Sequence, residues 1–450
     1  MRIVIVGGGV VGYSLAEHLL KDKHQLSLVE MDPHLCQTIS EKLDLQIVCG
    51  SGSSPSTLLA AGLPEADMVL AVTPNDEVNM VVCAVAAQSD VGKRIARLRN
   101  QEFASENAAV DIRKIGITDV IHPEEVLVDH ILQFVETPHA LESANFERGR
   151  ILMRGYRVHS EMPIAGRTAA EIRAEMNSEL VLFAAIVRNG EGMIPSGDTR
   201  IETGDVVYSL FPRQSLEAFR KLMGIETKRS RKIVITGDSY STIQLARALD
   251  KTDHKVTLVD PSSEHATEAA AELDRVQVIH GDCTQEDLLK DINIETASFL
   301  IAASNEADYN MLSALLAKAE GAHEVISITT EWQHERLFHS LGIDHVLNPR
   351  LTAARAILEI IASGHIGAAV QLSRVDIEAV RFDAEPGSPI VGRPLMEMGR
   401  KLKGSIVGMV IRDDKMIIPT GDTTIAAGDH VIMIVRLKQH GAISRLFKGR

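Results

Sequence analysis

Long apolar runs are missing from this sequence. No stretch approaches the ~18 uninterrupted apolar residues that span a bilayer, so a role at a membrane is expected to be exercised through a partner. The first apolar run, Ile3–Val6, is only four residues long and ends in glycines, so a secretory signal is not expected. Cysteine is scarce. The four present (Cys36, Cys49, Cys83, Cys283) show no C-x-x-C spacing and are expected to be reduced, mostly buried thiols of a cytosolic protein. Basic charge is in deficit as well. A formal net charge of −14 argues against a nucleic-acid footprint, which needs clustered Lys and Arg, and suits a soluble partner or one with a basic face. No tract is of low complexity, and 45% hydrophobic with 24% charged residues is an ordinary globular composition. The length suggests three or four domains at ~100–150 residues each.

What the chain does have is concentrated first in MRIVIVGGGVVG. The run Ile3–Val6 drops into three glycines, and Gly12 follows Gly9 by three. Leu15, Ala16, Leu19 and Leu20 then recur with the period of a helix. Strand, glycine turn and helix in this order give G-x-G-x-x-G the context of a dinucleotide fingerprint. Gly7 makes the tight turn, Gly9 lets the backbone approach a pyrophosphate, and Gly12 lets helix and sheet pack closely. Phosphates would face the free amides of the helix N-terminus. A plain structural turn is the alternative.

A second strand, Leu26–Glu30, ends in a carboxylate where an acidic residue grips ribose hydroxyls and repels a 2′-phosphate. Then come a helix (Leu35–Leu43), a strand ending at Val48–Cys49, and the small-residue loop Gly50–Pro55. The strand Met68–Val72 leads into TPNDEVNM, and Arg94–Leu98 closes the pattern. This alternation predicts a parallel sheet with helices on both faces. The polar residues of Thr73–Met80 stand at a strand C-terminal end, where such sheets place ligands. They equally suit the cap of a helix beginning near Glu77.

The pattern occurs twice. IVIVGGGVVG from Ile3 matches IVITGDSYST from Ile233, Glu30 matches Asp260, Gly50 matches Gly281, and AVTPNDEVNM from Ala71 matches AASNEADYNM from Ala302. A second unit repeats between the copies: PIAGR from Pro163 recurs as PIVGR from Pro389, and IPSGDTRIETGDVV from Ile194 recurs as IPTGDTTIAAGDHV from Ile418. Its alternation and G-D turns predict short antiparallel strands, with a helix after each P-I-x-G-R. The order is A–B–A′–B′. The joins carry helical segments, His122–Glu136 and Leu351–Ala362, behind matching turns at Pro123 and Pro349.

Taken together, these features resemble the TrkA family, cytosolic regulatory subunits of Trk-type potassium uptake systems built from two tandem RCK (KTN plus TrkA-C) units. The resemblance covers the chain from Met1 to about Phe447. It implies an α/β fold class in which two Rossmann-like parallel-sheet domains (1–138 and 229–364) alternate with two small α+β RCK-C domains (139–228 and 365–450). It also implies a non-enzymatic homo-oligomer, a tetramer whose gating ring docks under a TrkH-type membrane potassium transport subunit. The protein would then be cytoplasmic, peripheral to the inner membrane through that partner, with NAD(H) and/or ATP/ADP bound in the N-lobes. Carried onto matching positions, the phosphate contacts would be Gly7, Gly9 and Gly12 with Val10 and Val11, and Glu30 would hold ribose. Gly50 and Ser51 would lie near the base, with Thr73, Asn75 and Asn79 at the fourth strand edge. Of Arg97 and Arg99 at the next strand, one is expected at the ligand and the other in solvent.

The second glycine loop departs from this pattern. It reads Gly237–Asp238–Ser239–Tyr240–Ser241–Thr242, with serine for the middle glycine, threonine for the last, and a carboxylate beside a would-be phosphate. Asp260, Gly281, Asp282, Ser304 and Asn310 keep the rest of a second site, and weak nucleotide binding, or binding of a ligand without a pyrophosphate at that turn, is expected there. Two metal readings are set aside. His334, Glu335 and His339 have the wrong spacing for H-E-x-x-H. Asp198, Asp205, Asp422 and Asp429 sit in G-D turns, where turn chemistry is the ordinary explanation. The functional alternatives are an NAD-dependent oxidoreductase, for which the B units offer no evident His/Asp or Lys pair, and an RCK ring serving a different ion transporter.

Overall fold

The computed structural model describes residues 1–21, 24–103, 111–147, 149–175, 181–225, 230–330, 335–362, 369–372, 375–399, 401–413 and 415–449. The chain divides into two compact units. One combines Met1–Ile131 with Arg229–Leu358, and the other combines Leu132–Lys228 with Glu359–Arg450. Like repeats thus share a unit although they are distant in sequence.

The first lobe runs β1 (Arg2–Val6), α1 (Val10–Lys21), β2 (Gln25–Glu30), α2 (Pro33–Ser40), β3 (Gln46–Cys49), α3 (Pro55–Ala60), β4 (Met68–Ala71), α4 (Asp76–Gln88), β5 (Lys93–Arg97), β6 (Asp119–Ile121) and α5 (Pro123–Glu136). Its sheet has the order β3-β2-β1-β4-β5-β6. The pairings are parallel throughout, the doubly wound arrangement whose switch point lies between β1 and β4. Those two strands are apolar on both faces because helices cover both: Ile3, Val4, Ile5, Val69 and Leu70 are all buried. β6 was not anticipated, since a three-residue strand is too short to show a period. α2 begins earlier than expected because Asp32 caps it, accepting from the His34 amide at 2.8 Å, and Pro33 occupies its first turn.

In the other unit, the first small lobe comprises β7 (Glu142–Phe146), β8 (Ile151–Arg157), α6 (Ala169–Glu175), β9 (Leu182–Arg188), β10 (Glu191–Met193), β11 (Val206–Pro212) and α7 (Leu216–Met223). Its antiparallel sheet is ordered β10-β9-β11-β8-β7.

The second large lobe repeats the first: β12 (Lys232–Thr236), α8 (Tyr240–Asp250), β13 (Lys255–Asp260), α9 (Ser263–Glu272), β14 (Gln277–His280), α10 (Glu286–Asp291), β15 (Phe299–Ala302), α11 (Ala307–Ala319), β16 (Glu324–Ile328), α12 (Glu335–Ser340), β17 (His345–Leu347) and α13 (Pro349–Ala362). The sheet order β14-β13-β12-β15-β16-β17 is that of the first lobe. The second small lobe adds β18 (Ala369–Gln371), β19 (Ile377–Asp383), β20 (Ser405–Arg412), β21 (Lys415–Ile417), β22 (His430–Arg436) and α14 (His440–Phe447), in the order β18-β19-β22-β20-β21. After PIVGR the described residues form a 3-10 turn, Leu395–Met398, between Pro394 and Gly399, where an α-helix was expected. The α/β class with alternating parallel and antiparallel sheets is as the sequence led us to expect.

The small lobes bury one core between them, in which Phe146, Met153 and Leu210 pack with Ile377, Met409 and Ile432. Each also carries the same clamp on its G-D turn. Asp205 accepts Arg188 Nε and Nη2 at 2.8 Å each and the Glu202 amide at 2.8 Å. Asp429 accepts Arg412 Nε at 2.8 Å and Nη2 at 2.7 Å, plus the Ala426 amide at 2.8 Å. These aspartates are turn elements whose oxygens are committed to arginine and backbone. Of His334, Glu335 and His339, the first lies outside the described residues, and the other two fall on α12.

One cysteine expectation is overturned. Cys36 and Cys49 form a disulfide, because α2 lies against the end of β3 and brings their Cα atoms to 6.1 Å, within the range a bridge requires. Their separation in sequence carried no motif. Cys83 and Cys283 are free and buried, and desolvation pushes their thiols up to about 12 and about 11.

Two outcomes are expected. Burial alone would raise the Asp429 carboxyl, but Arg412 and the Ala426 amide outweigh it and hold the group below its ordinary value. Its contribution is therefore complete above the unfolded-state value of about 4 and is lost as pH falls through the lower folded value. Thermal melts between about pH 5 and about pH 3 should show a steeper acid loss for the wild type than for Asp429→Asn. The Cys36–Cys49 bridge closes a short loop with a sequence separation of 13, worth up to about 3 kcal/mol. Dithiothreitol should lower the melting temperature of the wild type and leave Cys49→Ser unchanged.

Candidate functional site

Two backbone requirements shape the switch point. Gly7 has φ +107°, and a Cβ there would sit 3.0 Å from the Thr73 amide nitrogen, so the turn after β1 needs glycine. A Cβ on Gly12 would fall 1.8 Å from the Gly7 carbonyl oxygen, so only glycine lets α1 start this close behind the turn. Gly9 has open space where its Cβ would be, with nothing within 4 Å. The first turn of α1 contains no acidic residue. The amide end of α1, with its partial positive charge, therefore opens onto a cleft.

That cleft has a volume of about 580 Å³ and lies within one compact unit, walled by both large lobes. The first lobe contributes Gly7, Gly9, Val10, Val11, Glu30, Gly50, Ser51, Thr73, Asn75, Arg97 and Arg99, all of which the sequence had singled out. It also contributes Asp32, Leu35 and Glu124. The second lobe supplies Ser239, Ser304, Asn310, Thr330 and Arg350. Of these, the sequence had marked Ser304 and Asn310, but as parts of a separate second site. Arg350 and Glu124 carried no motif, only the matching positions after Pro349 and Pro123.

Glu30 is half-buried at the cleft edge. Its Oε2 accepts the Gly8 amide at 2.6 Å, and its Oε1 accepts the Met31 and Asp32 amides at 2.7 and 2.9 Å. These bonds fix the carboxylate at the end of β2, beside the glycine turn. Asn75 caps α4 by accepting the Val78 amide at 2.8 Å while lining the cleft, so the two readings of TPNDEVNM coexist.

Several expected ligand contacts play other parts. Asn79 is fully buried and does not line the cleft. Its Oδ1 accepts the Thr73 amide at 3.0 Å and the Thr73 hydroxyl at 2.7 Å, and its Nδ2 donates to the Thr73 and Arg97 carbonyls at 3.0 and 2.7 Å. It latches the ends of β4 and β5 together. Asn310 does the same for β15 and β16 through Ser304 and Ile328. Gly12 stands behind the turn, away from the cleft lining. Asp260, Gly281 and Asp282 also fall outside the cleft lining. Asp260 is fully buried, its Oδ1 taking the Ser262 amide at 2.7 Å, and desolvation raises its carboxyl above the ordinary value. Asp282 accepts the Thr284 amide and hydroxyl at 2.8 Å each.

The second glycine loop is closed by its own side chains. Ser239 Oγ caps α8 by accepting the Thr242 amide at 3.2 Å, and it donates to the Ala303 carbonyl. Thr242 Oγ1 reaches the same carbonyl at 2.9 Å. Tyr309, at the position of Val78, fills the adjoining space. It bonds Thr236 Oγ1 at 2.7 Å and accepts the Cys283 amide at 3.3 Å. The amide end of α8 is thus met by a hydroxyl of its own lobe.

Both strand arginines reach the cleft, rather than one facing it and one solvent. Two residues apart on a continuing strand direction, they share a side. Arg99 is 58% exposed and pairs with Glu124 at 3.1 Å. The Arg97 Nε is buried and has no hydrogen-bond partner among the described residues. Burial first, then the like charges of Arg99 and Arg350, lower the Arg97 guanidinium below its ordinary value, with Glu124 and Asp76 opposing. The arrangement offers an open helix N-terminus, a fixed carboxylate at one edge and under-neutralised guanidinium groups at another. Chemically this suits a polar ligand with hydroxyl groups at one end and negative charge at the other. Among the described residues, the cleft lining holds no histidine, lysine or cysteine.

Comparison with known proteins agrees with this architecture. The TrkA-N domain model matches residues 3–123 and 233–349, and the TrkA-C domain model matches residues 153–224 and 379–448. The Trk system potassium uptake protein TrkA of Halomonas elongata is 31% identical over 453 residues, covering 100% of this chain and 99% of the relative. That of Azorhizobium caulinodans is 30% identical with the same coverage. Among solved structures, the GsuK channel (TM-score 0.61) and the GsuK channel bound to NAD (TM-score 0.60) are each 18% identical. In each case the match covers 99% of this chain and 78% of that chain, and at that identity it speaks for the fold. With two TrkA-N and two TrkA-C domains in tandem and full-length similarity to curated TrkA proteins, the chain belongs to the TrkA family.

Proposed function

We propose that this chain is a nucleotide-binding regulatory subunit that assembles as a gating ring on a TrkH-type potassium channel or transporter and controls potassium uptake. The observation that carries the reading is the cleft at the first glycine loop, walled by both large lobes. A ligand there touches two lobes at once, so it can favour one arrangement of the unit over another, which is what a ligand-gated regulator needs. A useful bias requires a differential affinity worth about 1–3 kcal/mol per coupled site. The ligand is NAD(H) or ATP/ADP: Glu30 would take the ribose hydroxyls, Gly7 and Gly9 the phosphates, and Gly50 and Ser51 would flank the base. Binding in NAD by a GsuK channel of similar fold is consistent with this. The first lobe is the principal sensor, since Ser239, Thr242 and Tyr309 occupy the equivalent places in the second.

Relatives named for potassium uptake support the membrane partner, as does the lack of any helix, among the described residues, long and apolar enough to cross a membrane. The ring is a tetramer, placed in the cytoplasm and held at the inner membrane by its partner. The oxidoreductase alternative finds no histidine or lysine among the described residues of the cleft lining.

Calorimetry of the full chain with ATP, ADP, NAD and NADH, paired with potassium flux through a TrkH-type partner in vesicles, tests the reading. We expect nucleotide binding and a nucleotide-dependent flux; binding to none of the four, or an indifferent flux, would refute it. Gly9→Val fills open space without a positive φ to strain. It should melt like the wild type and lose at least about tenfold in nucleotide affinity, a steric cost of about 1.4 kcal/mol or more.

A further inference from the structure

The two bridged cysteines each stand next to a residue that lines the cleft. Leu35, just before Cys36 on α2, lines it, and so do Gly50, Ser51 and Gly52, which follow Cys49 at the end of β3. Met31 and Asp32, which lead into α2, line the same end beside Glu30. The bridge therefore ties together two walls of the end at which Glu30 and the Gly50 loop would take ribose and base.

The two walls are held unequally. The loop is pinned: the Gly50 amide donates to the Glu30 carbonyl at 2.8 Å, and a Cβ added to Gly52 would fall 2.4 Å from a Val6 methyl. α2 has eight residues, too few for a helix to be stable on its own, and of these only Cys36 and Ile39 are buried. The covalent hold thus acts on the more weakly packed wall. The second lobe carries no such pair at the matched positions, where Ala266 on α9 replaces Cys36 and His280 at the end of β14 replaces Cys49. The bridge belongs to the lobe whose glycine loop is open. Its sulfurs also differ in access. Cys36 is buried and Cys49 is exposed, so a thiolate from solution reaches the Cys49 sulfur. Disulfides of cytosolic proteins are mostly transient, because thiol systems there keep cysteines reduced.

We propose that the Cys36–Cys49 bridge is a redox-sensitive brace on the nucleotide site, holding the ribose and base end formed when oxidised and loosening it when a dithiol reductant opens it. This rests on the nucleotide reading and the cytoplasmic placement above. One thiolate of the reductant attacks Cys49 Sγ; the S–S bond breaks, and Cys36 leaves as a thiolate that takes up a proton. The second thiol then displaces Cys49, which also ends as a thiol, and the reductant closes to its own disulfide. Two electrons and two protons pass from the dithiol to the bridge. Once free, the Cys36 thiol, 3.4 Å from the Glu30 carbonyl oxygen, donates to the acceptor that the Gly50 amide already uses. With the covalent tie gone, α2 and the Gly50 loop no longer move as one, and the ligand must order them on binding.

The test is calorimetry of the full chain with ATP and NADH, after treatment with oxidised glutathione or with dithiothreitol, each removed under nitrogen. Thiol labelling of the denatured chain should mark only Cys83 and Cys283 after oxidation and all four cysteines after reduction. The oxidised chain should carry no glutathione by mass. Reduced wild type should bind both nucleotides about three- to tenfold more weakly than oxidised wild type, since both present an adenosine to the braced end. Cys36→Ala, which copies Ala266 of the second lobe, and Cys49→Ser at an exposed position should bind as reduced wild type does after either treatment. Equal affinities in the two states of the wild type would overturn the proposal and leave the nucleotide reading standing. So would a bridge that oxidised glutathione does not form, or variants that still respond to the treatments. A wild type that binds neither ligand in either state would overturn both.

Discussion

The contact on which the first large lobe turns is the approach of α1 to the glycine loop. Gly12 lies so close behind the Gly7 carbonyl that a single added carbon could not be placed there. Because α1 begins at that distance, its amide end emerges at the C-terminal edge of β1, at the switch point of the sheet. The Thr73 segment lies alongside and Glu30 is held over the turn by the Gly8 amide. An anion-facing edge follows from backbone proximity before any side chain is considered. The second lobe meets the same packing demand with hydroxyls that bond the Ala303 carbonyl, and there the helix terminus is sealed from within.

Comparing the copies separates what holds the fold from what faces the ligand. Asn79 and Asn310 make the same latch across two strand ends. Arg188 with Asp205 and Arg412 with Asp429 make the same clamp on a turn. These pairs survive in both copies because an unpaired buried carboxylate or amide is costly wherever it sits. The positions that differ, Gly9 against Ser239, Val78 against Tyr309, Arg97 against Ile328 and Glu124 against Arg350, all border the cleft or the space equivalent to it. The outcome is one asymmetric site. The two lobes share its walls but divide its chemistry, with the open loop on one side and the exposed Arg350 on the other.

Much of this was legible from residues alone. The glycine spacing, the apolar periods and the doubled order identify two parallel-sheet lobes and two antiparallel ones, because period and turn chemistry are local properties that survive without a partner. The glycine loop, Glu30, the Gly50 loop, Thr73 and the strand arginines are recognisable for the same reason. Local signals did not reveal β6, whose three residues are held by pairing with β5, or the Cys36–Cys49 bridge, which depends on how α2 lies against β3. They also misjudged Asn79, Asp260 and Asp282, since a polar residue at a strand end reads alike whether it faces a ligand or its own backbone.

By itself, the sequence determined the repeated order of lobes, the parallel and antiparallel sheets, and an open glycine turn in one copy against an obstructed one in the other. Each of these depends on residues close together in the chain. The tertiary structure alone decided that residues from opposite repeats wall a single cleft, that Asn79 is a latch, and that Arg350 shares a wall with the first glycine loop. Those facts depend on which surfaces pack together after hundreds of intervening residues, and no spacing within either repeat encodes that.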